Sequence, residues 1–246
     1  MSLVYYFDVG NTRVKFWRCR NEHIEARASV AHGGSPEAAI IMLPALFAEK
    51  PDAILGGSVM GEQAMIMFTR ACEKMWLRSP CYARSSARQA GVTNAYGEGS
   101  TSLGVDRWLG LLAARAISGD VCVVDCGTAV TMDVLRRDGL HLGGYILPGL
   151  GLMSDALMRE TDRVRFTVSM PATLALGRST SEAVTNGVMM AVVSMIERVA
   201  REHCTQLILT GGDADSVSHL LSIPHVVEPE LLLHGLQRYF ADAGIR

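Results

Sequence analysis

Two short turns carry an acid, a glycine and a hydroxyl in the same order. The first, Asp8-Val9-Gly10-Asn11-Thr12, follows the apolar run Leu3-Val4-Tyr5-Tyr6-Phe7; the second, Asp125-Cys126-Gly127-Thr128, follows Val121-Cys122-Val123-Val124. A carboxylate ending a buried strand suits a cation, and glycine lets backbone N–H groups approach phosphate oxygens. Asp8 can hold Mg2+, directly or through water, while Asn11, Thr12 and Lys15 can reach phosphate. One copy alone is equally an ordinary Asn-containing hairpin turn. Two copies, one per half, point to a nucleotide held between two related lobes. Thr128 is the second turn's candidate phosphate contact. Asp133 beyond it either supports that turn or, more plainly, faces solvent.

A different chemistry is written in Leu103-Gly104-Val105-Asp106-Arg107-Trp108, which opens a helix otherwise rich in Leu and Ala. Asp106 near a helix N-terminus is stabilising in its own right. It is also placed to act as a general base, taking a hydroxyl proton so that the oxygen attacks a γ-phosphoryl group. Arg107 can bind a substrate carboxylate as a bidentate fork, and Tyr96 upstream can close over that substrate. Gly143-Gly144-Tyr145-Ile146-Leu147-Pro148-Gly149 leads into a helix whose free N–H groups favour an anion. Thr210-Gly211-Gly212-Asp213 ends a buried strand, a common pattern taken singly.

The elements needed to position these groups repeat. Extended runs at 3–7, 13–19 and 25–30 precede a helix at 36–48, a strand at 53–58, a helix at 61–76, a short strand near 79–83 and a helix at 103–117. The second half has strands at 121–125, 130–136 and 141–146, with a hairpin signal at Asp138-Gly139. Helices at 149–159 and 180–204 follow, then strand 206–210, helix 214–221, strand 225–227 and helix 229–242. The same order read twice predicts two lobes, 1–118 and 119–246. The glycine-bearing loop 90–102 is expected to be the most mobile stretch.

With 246 residues, 49% hydrophobic and 20% charged, the chain can bury a sizeable core. A net charge of −2 without a basic stripe argues against nucleic acid. The six cysteines form no CxxC pair and the seven histidines no ligand spacing, so neither a zinc site nor a disulfide framework is expected. No signal peptide is expected, and no run looks long enough to span a membrane. A cytoplasmic protein without a membrane partner is the expectation.

The element order resembles the sugar kinase, actin and Hsp70 superfamily, an α/β fold of duplicated ribonuclease-H-like lobes with ATP in the cleft between them. In that superfamily a turn like Thr210–Asp213 lies along the adenosine. The joint set Asp8-x-Gly10-Asn11-Thr12, Gly104-x-Asp106-Arg107, Asp125-x-Gly127-Thr128-Ala129, Gly143-Gly144-x-Ile146-x-Pro148-Gly149 and Thr210-Gly211-Gly212-Asp213 more closely resembles type III pantothenate kinase, a family that includes Bvg accessory factor proteins. The resemblance implies ATP-dependent phosphorylation of pantothenate, the first step toward coenzyme A. It implies a phosphate loop from Asp8 through Val9, Gly10, Asn11, Thr12, Arg13 and Val14 to Lys15, with Thr128 as a further ATP contact. Asp106 matches the proton acceptor, Tyr96, Gly104, Val105, Arg107 and Thr180 the substrate contacts, and Asp125 the ligand of a monovalent cation, K+ or NH4+. Family members are homodimers, for which the long helix 180–204 is a plausible interface. Residues 97–102 lack the proline many members carry there. The alternatives are a non-catalytic accessory factor on the same fold and a kinase for another small hydroxy acid.

Overall fold

In this computed structural model, residues 2–117, 119–160, 172–204 and 206–245 are described. Two sheets share one plan. In the first, β1 (Leu3–Val9), β2 (Arg13–Arg20) and β3 (His23–Ala31) form an antiparallel meander, and β4 (Ala53–Ser58) and β5 (Cys81–Tyr82) add in parallel beside β1, in the order β3-β2-β1-β4-β5. Between them run α1 (Pro36–Ile41) and α2 (Glu62–Trp76); after β5 come a hairpin, β6 (Arg88–Gln89) and β7 (Val92–Thr93), and α3 (Val105–Ala114). The second sheet repeats the plan with β8 (Val121–Cys126), β9 (Ala129–Leu135), β10 (His141–Pro148), β11 (Gln206–Thr210) and β12 (Val226–Val227), ordered β10-β9-β8-β11-β12. Its helices are α4 (Leu150–Glu160), α5 (Thr180–His203) and α6 (Ala214–Ser218), and α7 (Leu231–Asp242) ends the chain.

Period-two alternation sorts the first sheet's faces. Tyr5, Phe7 and Phe16 pack with Phe47, Phe68 and Trp76 into an aromatic core under α1 and α2. The Trp76 indole N–H is satisfied by the Phe47 carbonyl at 2.7 Å. Helix α1 is shorter than the expected 36–48: it stops at Ile41 and, after Pro44, resumes as a 3-10 turn, Ala45–Phe47. Proline cannot donate the helical hydrogen bond there.

The opposite face carries Val4, Tyr6, Trp17 and Leu55 under α3 and α7. The C-terminal helix therefore belongs to the first compact unit, 1–113 with 231–246, and the second unit is 114–230. The sequence reading kept 231–246 with the second half. Physically, Leu232, Leu233, Leu236 and Phe240 form one apolar stripe that covers this first-sheet face.

The second unit's core is aliphatic. Cys122, Val124 and Met132 face Met189, Val192, Val193 and Ile196 of α5. Helix α5 is long and apolar enough, at mean hydropathy 1.3, to cross a membrane by length and composition, contrary to the sequence reading. Its apolar stripe instead packs on β8 and β9, which accounts for that composition. Its start is capped by Ser179, whose hydroxyl accepts the Glu182 N–H at 3.2 Å.

Candidate active site

Asp8 is the last-but-one residue of β1 and is only 6% exposed. Strand pairing sets Lys15 on one side of it and Gly57 on the other. Gly57 lies in van der Waals range of α3: a methyl there would stand 3.3 Å from Leu109 and 3.4 Å from Val105. The strand register and this helix packing thus bring Asp8, Lys15 and the first turn of α3 to one edge of one sheet face.

That first turn holds Asp106, whose Oδ1 accepts the Arg107 backbone N–H at 2.8 Å. A side chain at Gly104 would meet Asp106 Oδ1 at 2.5 Å, so glycine is what lets the carboxylate lie across the turn. Arg107, only 7% exposed, donates from Nη1 to the Tyr96 hydroxyl at 3.1 Å and stands 5.9 Å from that ring's centre. Tyr96, Gly104, Asp106 and Arg107 are thereby gathered in one place. A groove of about 1050 Å3 borders them, lined by Ser58, Arg70, Tyr82, Arg84 and Gly104.

The loop 90–102 is more organised than its glycines suggest. Ala90 (φ 46°) and Gly91 (φ 80°) turn the β6–β7 hairpin, and a 3-10 helix spans Gly97–Ser102. Asn94, 4% exposed, ties it together: its side-chain amide donates to the Ser86 and Ser100 carbonyls, and its Oδ1 accepts the Tyr96 N–H at 3.0 Å. Nothing in its type or spacing marks Asn94 out in the sequence.

The first turn divides by role. Asn11 and Thr12 are exposed, whereas the side chains of Val9 and Val14 are buried in the core, so they can meet a ligand only through backbone. The Arg13 guanidinium hydrogen-bonds Ser29, with Nε to Oγ at 2.9 Å and Nη2 to the carbonyl at 2.8 Å. His32 braces the turn. Its Nδ1 accepts the Gly34 N–H at 3.1 Å, which leaves the proton on Nε2, donated to the Gly10 carbonyl at 3.0 Å.

In the second unit Asp125, the last-but-one residue of β8, pairs with Thr131 of β9 and Thr210 of β11. Oxygen-bearing side chains therefore stand in a row on one face. Thr210 is 1% exposed, and its Oγ1 has no hydrogen-bond partner among the described residues. Gly211, at φ +98°, follows, and a methyl there would be 2.4 Å from Asp125 Oδ1. One carboxylate, neutral oxygens and a glycine cradle fit a singly charged cation, and among the described residues no set of three or more His, Cys, Asp or Glu gathers as a metal cluster. Thr128 is exposed, and its carbonyl accepts the Gly149 N–H at 2.9 Å, which seats the turn against the start of α4. Thr180 lies exposed at the start of α5.

Asp133 does not face solvent as the plainer reading had it. It is 2% exposed and bonded to His141 Nε2 at 2.9 Å, clasping β9 to β10. Burial raises the Asp213 carboxyl above its ordinary range and pushes the Cys126 thiol up to about 12. Asp213 lines a cavity of about 640 Å3 with Leu150, Met158, Val188, Met189 and Leu220.

Two sheets with the same strand order, each with an aspartate one residue before the end of its first strand, define the duplicated ribonuclease-H-like fold of the sugar kinase, actin and Hsp70 superfamily. Solved structures agree: a Campylobacter jejuni protein described as a Baf family transcriptional activator superposes with a TM-score of 0.65 at 20% identity, covering 98% of each chain. Component A of the (R)-2-hydroxyglutaryl-CoA dehydratase of Acidaminococcus fermentans superposes with a TM-score of 0.56 at 14% identity, over 99% of this chain and 100% of that one. The sequence is more specific. The family model for type III pantothenate kinase matches residues 4–202. The type III pantothenate kinase of Chromohalobacter salexigens is 36% identical over 97% of this chain and 87% of its own length. The chain belongs to the type III pantothenate kinase family.

Proposed function

We propose that the chain transfers the γ-phosphoryl group of ATP to the primary hydroxyl of pantothenate, with Asp106 as general base. The observation that carries this reading is the grouping of Asp106, Arg107 and Tyr96 around Gly104, on a helix packed against the strand partner of Asp8. A small hydroxy acid needs a base at its hydroxyl and a cation at its carboxylate. Asp106 supplies the first, and the Arg107 guanidinium, oriented by Tyr96, supplies the second. Thr180 is a further substrate contact.

Asn11, Thr12 and Lys15 of the first turn and Thr128 of the second bind the phosphate chain, with backbone N–H groups of both turns. The nucleoside lies along Thr210–Asp213. Asp8 fits Mg2+ because it is a buried strand-end carboxylate, and Asp125 fits K+ or NH4+; when bound, these ions neutralise phosphate charge. The protein's own share of the chemistry is to align the hydroxyl with the phosphorus, take its proton at Asp106 and hold the acid end still.

We place the reaction in the cytoplasm, in keeping with six free thiols. We further propose a homodimer. Tyr145, Ile146, Leu152, Leu157 and Met190 are exposed apolar side chains of the second unit that a partner copy would cover. The test of function is ADP release from purified protein: it requires pantothenate, and Asp106→Asn abolishes it while ATP still binds. Equal turnover with unrelated hydroxy acids would refute pantothenate as the substrate.

A further inference from the structure

The Thr210 hydroxyl is a buried polar group that neither strand pairing nor the turn explains. A hydroxyl 99% removed from solvent without a partner is costly, and the described residues around it offer no compensation. Parallel pairing of β11 with β8 sets Thr210 directly beside Asp125. Side chains of paired positions in adjacent strands rise from the same sheet face. Gly211 then removes the side chain that would otherwise press on Asp125 Oδ1 and on the Cys126 carbonyl, at 2.4 and 2.5 Å.

We infer that Thr210 Oγ1 is a ligand of the monovalent cation held at Asp125, and that it sets how tightly that cation is gripped. The inference rests on the Asp125 cation reading and adds a residue to it. A hydroxyl oxygen is a neutral donor. It coordinates K+ through a lone pair or accepts an N–H from NH4+, and it leaves the site with the single negative charge of Asp125. The corresponding place in the first sheet, the strand partner of Asp8, is Gly57, which offers no side-chain oxygen and is covered by α3. The two strand-end aspartates thus receive different neighbours from the same plan.

The test compares wild type with Thr210→Val, which keeps the volume and removes the oxygen, and Thr210→Ser, which keeps the oxygen. Melting temperature is followed against KCl at constant ionic strength, with tetramethylammonium chloride as the balancing salt. Turnover is followed over the same range, with KM for ATP and pantothenate. Without K+, Thr210→Val melts no lower than wild type, because it loses an unsatisfied hydroxyl. With K+ it gains less, and its half-saturating K+ rises about tenfold in both assays, as expected for one lost ligand to a charged partner. Thr210→Ser stays near wild type. Unchanged half-saturating K+ in Thr210→Val overturns the inference, as does a change confined to KM for ATP, which would put the hydroxyl on the nucleotide. Failure of the parent reading looks different: wild type itself shows no K+ dependence in melting or turnover, or Asp125→Asn keeps it.

Discussion

The two strand-end aspartates occupy equivalent places in duplicated sheets, yet their surroundings diverge. Asp8 has Lys15 and Gly57 as strand partners, and Gly57 admits α3, so this carboxylate shares its sheet face with the helix that carries Asp106. Asp125 has Thr131 and Thr210 as partners, and the helix α5 packs on the opposite face, against Cys122 and Val124. In the function we propose, one copy of the plan serves a base and a divalent ion, and in the other a row of oxygens serves a singly charged ion. The shared plan supplies the frame, and the residue paired with each aspartate, Gly57 or Thr210, is where the two copies differ.

The deepest break in this comparison is Asp106→Asn. Removing a general base is expected to lower kcat by about 10²–10⁴-fold, with ATP binding by calorimetry retained. Asp8→Asn and Asp125→Asn should then separate. The first is expected to weaken Mg2+-dependent activity at every K+ concentration, and the second to remove the response to K+; steady-state titration of each ion distinguishes them. Loss of K+ response in Asp8→Asn would erase the distinction.

Next is Gly57→Val. Gly57 already leaves only 3.3 Å to Leu109 for a first carbon, so a branched side chain must push α3 outward. Overpacking of this kind costs about 1–3 kcal/mol, readable as a lower melting temperature together with reduced kcat. The matching change on the other side, Thr210→Val, should spare stability. The smallest effect is expected from Asp213→Asn. Burial raises the Asp213 carboxyl, so the folded state binds that proton more tightly than the unfolded chain does, and stability falls as pH rises through the raised value. The variant should therefore melt above wild type at neutral pH, with the gain fading below about pH 4, where both forms are protonated.

Much of this was legible in the residues. Two Asp-x-Gly turns after apolar runs announce paired strand-end carboxylates, and Gly104-x-Asp106-Arg107 announces an aspartate and an arginine side by side at a helix start. What stayed hidden depends on register and packing. Thr210 looks like any strand-end threonine until pairing sets it beside Asp125. The Arg13–Ser29 contact is invisible until β3 brings Ser29 to the guanidinium. Helix α7 reads with the second half because element order does not say which sheet its leucine stripe will cover. Asn94 acquires meaning only once the loop folds around its amide.

The most direct test of the account is ADP release with ATP, Mg2+ and pantothenate, with and without K+, run on wild type and Asp106→Asn together. The account predicts pantothenate-dependent, K+-stimulated turnover in wild type and turnover lowered at least about 100-fold in the variant, with both proteins folded. Folded wild type that releases no ADP under any of these salts, or an Asp106→Asn variant that keeps its rate, would contradict it.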